Sequence, residues 1–146
     1  MFFRPHHGIK DGMRFLIATL LICFLSASCA NRPAVITDDM TPMEFIQRGQ
    51  EASDRNRFSL AMQYYEALIE RFPTDIDSVI AAEYEIAFIH YKQNRFDIAR
   101  SGFNELLERY DTPDEALLPP QFKILSNIVL ARMNEIEIGG RHARFR

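Results

Sequence analysis

A six-residue phrase occurs twice in this chain. It reads Asn56-Arg57-Phe58-Ser59-Leu60-Ala61 and returns as Asn94-Arg95-Phe96-Asp97-Ile98-Ala99, 38 positions on. The residues that follow also match: Tyr65 with Phe103, Leu68 with Leu106, Ile69 with Leu107, Glu70 with Glu108, Arg71 with Arg109, Phe72 with Tyr110 and Thr74 with Thr112. Self-similarity at a fixed period of this size marks stacked helical units, each of which buries its apolar face against its neighbour. The repeat points to an all-α fold: two helix–turn–helix units stacked as a right-handed α-solenoid. One domain suffices for 146 residues, and 47% apolar with 25% charged residues is the make-up of an ordinary folded chain.

The helix boundaries follow from capping chemistry. Thr41-Pro42-Met43-Glu44 supplies a capping threonine, a proline at the first helical position and a glutamate that closes the capping box. The first helix is expected from Pro42 to Asp54. Asp54-Arg55-Asn56-Arg57 is the turn, with asparagine able to take a left-handed backbone. The second helix, Phe58 to Arg71, carries Ala61, Tyr65, Leu68 and Phe72 on one face, and Pro73 stops it. The third is expected over Asp75–Lys92. Thr112-Pro113-Asp114-Glu115 repeats the capping logic, but Pro119-Pro120 cuts that helix short. A last helix over 121–138, with Phe122, Leu125, Val129, Met133 and Ile136, covers the open end of the stack as a cap. It is more apolar than a cap requires, so it either inserts into the groove or offers a surface to another protein. Gly139-Gly140 is expected to end it, leaving 139–146 as a basic, solvated tail.

The N-terminal segment is of another kind. Met13-Arg14 precedes an uncharged apolar run, Phe15 to Leu25, and then Ser26-Ala27-Ser28-Cys29. A basic start, a short apolar run and a small-residue site make a secretory signal peptide over 1–28, with Met13 as the expected true start. The run is shorter than the roughly 20 residues that span a bilayer. Residues 29–41 then read as an anchor cysteine and a tether. Ala30 to Met40 carries Pro33 and no helical period, and its 11 residues would reach roughly 35 Å when extended.

Two resemblances add to this. Leu25-Ser26-Ala27-Ser28-Cys29 resembles the lipobox of bacterial lipoproteins, in a relaxed form of the kind known in spirochaetes. The resemblance implies that Cys29 is lipidated, and acyl chains contribute about 0.8 kcal/mol per buried methylene to anchoring. Gly49, Ala61 and Pro73, twelve apart, with Phe58, resemble the tetratricopeptide pattern; Ala87, Phe96 and Ala99 take the same places in the second copy, with Asp111 at the proline position and Pro113 two later. Together they make the chain similar to the tetratricopeptide lipoproteins of bacterial envelopes, the family that includes the one serving the outer-membrane β-barrel assembly machinery. That implies two repeats and a cap over 42–138. It further implies a partner protein or peptide, attachment through the lipid, and a place at the outer membrane facing the periplasm.

By the same resemblance, Tyr84, Phe88 and Tyr91, with Ile46 and Gln50 before them, face the concave groove where such proteins bind. Ser53 is the third residue of the first copy. The other reading of the aromatic stripe is core, covered by the helix stacked next to it, which is the commoner fate of such stripes. His90 is expected as a packed histidine, and Lys92 and Arg95 as solvated turn charges.

Nothing in the sequence builds a catalytic centre. There is no glycine-rich phosphate loop, zinc-type His/Cys pair or Gly-x-Ser-x-Gly elbow. The expectation is therefore a non-enzymatic chain with no cofactor and no metal. A net charge of −3 gives no basic face for nucleic acid. The functional expectation is an interaction scaffold. The alternatives are a transport accessory, which docks a periplasmic binding protein or holds a small apolar ligand, and a cell-wall or division coordinator.

Overall fold

The two copies of the phrase begin helices in equivalent places. The computed structural model describes residues 33–144, with side chains through Gly139, so residues 1–28 and Cys29 lie outside the described residues. Five α-helices follow: α1 (Pro42–Asp54), α2 (Phe58–Arg71), α3 (Ile76–Lys92), α4 (Phe96–Glu108) and α5 (Pro120–Arg144). Two short 3-10 turns, Arg109–Asp111 and Glu115–Leu117, join α4 to α5. No described residue is in a strand.

The starts and stops have the expected causes. Thr41 closes a full capping box: its backbone N–H donates to Glu44 Oε2 at 2.8 Å, and Glu44 N–H donates to Thr41 Oγ1 at 3.4 Å. The N–H of Thr41 also holds the Glu44 carboxyl below the usual range. Asn56 and Asn94 take the same place after α1 and α3, with φ of 56° and 59°. Arg57 N–H then donates to Ala52 O, and Arg95 N–H to His90 O, at 2.8 and 2.9 Å. These are Schellman closures, in which a left-handed residue turns the chain back onto the last carbonyls. Asparagine tolerates that conformation better than other non-glycine residues.

Packing is pairwise and sequential. The first core joins α1, α2 and the inner face of α3, with Phe45, Tyr65, Leu68 and Ile89 fully buried. The second joins α3, α4 and α5 around Ile80, Phe103, Tyr110 and Met133. Each such side chain stabilises the fold by about 1.5–3 kcal/mol on burial. Gly49 is where α1 meets α2: a Cβ there would lie 2.5 Å from Cε1 and Cζ of Tyr65. The fold is thus the expected all-α repeat stack with α5 laid over its end.

Two expectations need correction. The cap was expected over 121–138, with Gly139-Gly140 as its end and 139–146 as an irregular tail. Instead α5 runs unbroken to Arg144. Glycine ends a helix when it takes a positive φ, and no described glycine does so; inside a helix it costs only about 1 kcal/mol. The tether expected over 29–41 is also not free along its described length. Ala34 N–H donates to Gln63 Oε1 at 3.0 Å and Val35 N–H to the Tyr64 hydroxyl at 3.3 Å. Arg71 donates to Thr37 O at 2.8 Å and to Asp38 Oδ1 at 3.1 Å, and Met40 is buried in the first core. Ala34, packed on the first core, and buried Met40 give this segment a reason to lie down that helical periodicity does not register.

Candidate functional site

Tyr84, Phe88 and Tyr91 do form one stripe along α3. It continues as a ladder of rings: Tyr84 to Phe88 at 5.8 Å, Phe88 to Tyr91 at 5.6 Å and Tyr91 to Phe96 at 5.9 Å. Its Tyr84 end is closed. Phe103 of α4 stands 5.6 Å from the Tyr84 ring and Phe122 of α5 stands 5.4 Å from it. Tyr84 is only 8% exposed, while Phe88 and Tyr91 are half-buried. Burial, followed by the nearby Glu85 carboxylate, pushes the Tyr84 phenol up to about 12. So Tyr84 is core, and the stripe reaches the surface only toward Tyr91.

The first-repeat counterparts meet this stripe unequally. Ile46 packs into the first core. Gln50 is exposed and donates to Glu85 Oε1 at 3.3 Å. Ser53 is buried and accepts from Lys92 Nζ. Lys92 is exposed, as expected of a turn charge, and also lies over two rings, 5.4 Å from the Phe58 centroid and 5.3 Å from that of Phe88. A cation over aromatic faces gains from the ring quadrupole. The line between α1 and α3 is therefore a polar seam of Gln50, Glu85, Ser53 and Lys92 beside Phe88. Burial holds Glu85 above the usual carboxylate range, against the hydrogen bond from Gln50 and the charge of Lys92. Sequence reading missed Glu85 and Lys92 because a lone charge in a helix says nothing of which neighbour it faces.

The outward face of α5 carries several exposed apolar side chains. Ile124 and Ile128 are 60% and 58% exposed, and Leu125, Ile136 and Ile138 are exposed with them; Leu117 adds to the same region of the chain just before the helix. The opposite face holds Val129 and Met133 against α4. Arg100 of α4 fixes the helix by donating to Asn134 at 2.8 Å and Glu137 at 2.9 Å. Phe122 over Tyr84 agrees with the insertion reading of α5, while the isoleucines turned away leave an exposed face. Among the described residues no helix is long and apolar enough to cross a membrane.

Comparison with known proteins bears on the repeat. Residues 81–112, which cover most of α3, all of α4 and the first 3-10 turn, match the family model described as tetratricopeptide repeat. An uncharacterised protein of Treponema pallidum (strain Nichols) is 33% identical to this chain over 116 residues, which is 78% of the chain and 46% of the relative. The chain therefore spans less than half the length of that relative. No solved structure matches it. The tetratricopeptide match across the second unit and the all-helical stacking of both units make this a helical-repeat chain, of the kind that generally serves as a non-enzymatic scaffold for protein–protein interaction.

Proposed function

We propose that this protein is a lipid-anchored scaffold of the bacterial envelope. In this reading Cys29 carries the lipid, the body stands at the outer membrane facing the periplasm, and its partner is a protein of outer-membrane assembly. The observation that carries the scaffold part is the outward face of α5. A row of exposed isoleucines at the end of a repeat stack is what a partner surface requires, because contiguous apolar area left open to water marks an interaction site. The anchoring part is supported by the relaxed cysteine motif and by a relative in Treponema, a spirochaete genus.

The transport-accessory reading divides in two. Holding a small apolar ligand at Tyr84, Phe88 and Tyr91 is disfavoured by geometry, since these rings contact one another and Phe122, filling the space a ligand would need. Docking a periplasmic binding protein stays as the alternative, with the same α5 face as its surface. A crosslinked recovery of the full-length protein from its own membranes, with a Cys29→Ala control, separates the two. Co-recovery of a β-barrel assembly protein that is lost with Cys29→Ala supports the first. Recovery of a binding protein or permease supports the second. A confirmed lipid with no associated protein would end both.

A further inference from the structure

The groove on the side of the α3–α4 pair is the open counterpart of a groove that the chain fills itself on α1 and α2. In the first repeat, residues 33–40 lie across α2, irregular to Thr37 and turning at Asp38-Asp39, held by Gln63, Tyr64 and Arg71, with Ile36 beside Phe45 and Ala67. Moved on by the repeat period, these five positions become Ser101, Gly102, Arg109, Glu83 and Glu105. All five line a cavity of about 380 Å³ on the second repeat. Where Tyr64 projects a ring, Gly102 projects nothing, and its place is set by close approach, since a Cβ there would lie 3.1 Å from that of Ala87.

Two further observations point to an occupant. Nδ1 of His90 is buried in this groove with no hydrogen-bond partner. The equivalent residue in the first repeat is Ala52, which poses no such demand. A buried polar atom without a partner costs stability, and a turn of the ring that brings Nδ1 to the groove surface would let a docked backbone satisfy it. The second observation is charge. Phe45 and Ala67 are replaced by Glu83 and Glu105. Arg109, the counterpart of the arginine that holds Thr37 and Asp38, is turned onto Glu83 at 2.5 Å. Among the described residues Glu105 has the Ser101 hydroxyl at 2.8 Å and no cation. The groove thus offers exposed Ile98 as an apolar wall beside an unneutralised carboxylate.

We propose that this groove docks a non-helical segment of a partner protein, apolar with a basic side chain, seated as residues 33–40 are seated on the first repeat. The cation meets Glu105, the backbone meets His90, and the apolar residues lie on Ile98 and Leu106. Residues 33–40 of a second copy fit less well, because Ile36, which lies beside Phe45 and Ala67 on the first repeat, would face the carboxylates of Glu83 and Glu105. The site is separate from the α5 face, so either can fail while the other stands.

The test pans a random peptide display library against the full chain in detergent, with Ile98→Arg as the counter-selected protein. Ile98 is 52% exposed, so the replacement leaves the core intact, and thermal melting checks this. The expected result is enrichment of apolar sequences bearing lysine or arginine. A synthetic peptide of that kind should bind about tenfold more weakly to Glu105→Lys, on the order of one lost charge contact, and shift the His90 imidazole resonances. Enrichment of acidic sequences resembling residues 33–40 would overturn the partner assignment in favour of a second copy. No sequence enriched over Ile98→Arg, or binding unmoved by either substitution, would overturn the site.

Discussion

At the scale of single residues, the account rests on places where one atom more or one proton more is felt. Gly49 is such a place. Alanine there would gain about 1 kcal/mol of helix propensity. It would also drive a methyl group into the fully buried ring of Tyr65, and overpacking of that kind costs about 1–3 kcal/mol. Gly49→Ala is expected to lower stability by about 1 kcal/mol, measured by urea unfolding, against the trend of propensity. Glu85 is the second place. Its folded-state pKa is raised by burial, so the penalty for its charge is absent below the ordinary glutamate value and grows as pH rises through the folded one. Glu85→Gln keeps a partner for Gln50 and removes the charge. It is expected to raise the melting temperature at pH 7, with the gain shrinking to nothing as the pH is lowered toward 4. A gain that persists in acid would show that the charge is not the cause. Gly49 was legible in the sequence as a close-approach glycine, because the twelve-residue spacing to Ala61 and Pro73 fixed its place. Glu85 was not, since its environment is made by Gln50 on another helix.

At the scale of elements, capping residues start the first and third helices, and the two asparagines end them and set the starts of the second and fourth. These signals are local, which is why they could be read. The departures are tertiary. Residues 33–40 carry no period, yet α2 gives them acceptors at Gln63 and Tyr64 and a donor at Arg71. The Gly139-Gly140 pair reads as a stop, yet nothing there asks for a positive φ. The segment is pinned on α2, and Arg71 is its clasp. Asp38 is fully open to solvent, and an exposed ion pair contributes only about 0–1 kcal/mol. Arg71→Ala is therefore expected to leave the melting temperature nearly unchanged while making the chain between Ala34 and Asp39 much more sensitive to limited proteolysis. Unchanged cleavage would mean that Met40 and the backbone bonds hold the segment without the arginine.

At the scale of the whole molecule, the repeat made the all-α stack legible, but not the fate of its faces. Tyr84, Phe88 and Tyr91 were found as one stripe, and whether they formed a groove or a core depended on where α5 came to rest. Phe122 settles on Tyr84, and α5 itself keeps Ile124 and Ile128 open to water. The scaffold reading places the partner there. The measurement that tests it most directly is the crosslinked recovery from native membranes repeated with Ile124→Asp and Ile128→Asp together, alongside thermal melting of the same variant. Both side chains are more than half exposed, so the account predicts an unchanged melting temperature and loss of the associated protein. A variant that melts normally and still brings down its partner in full would contradict it.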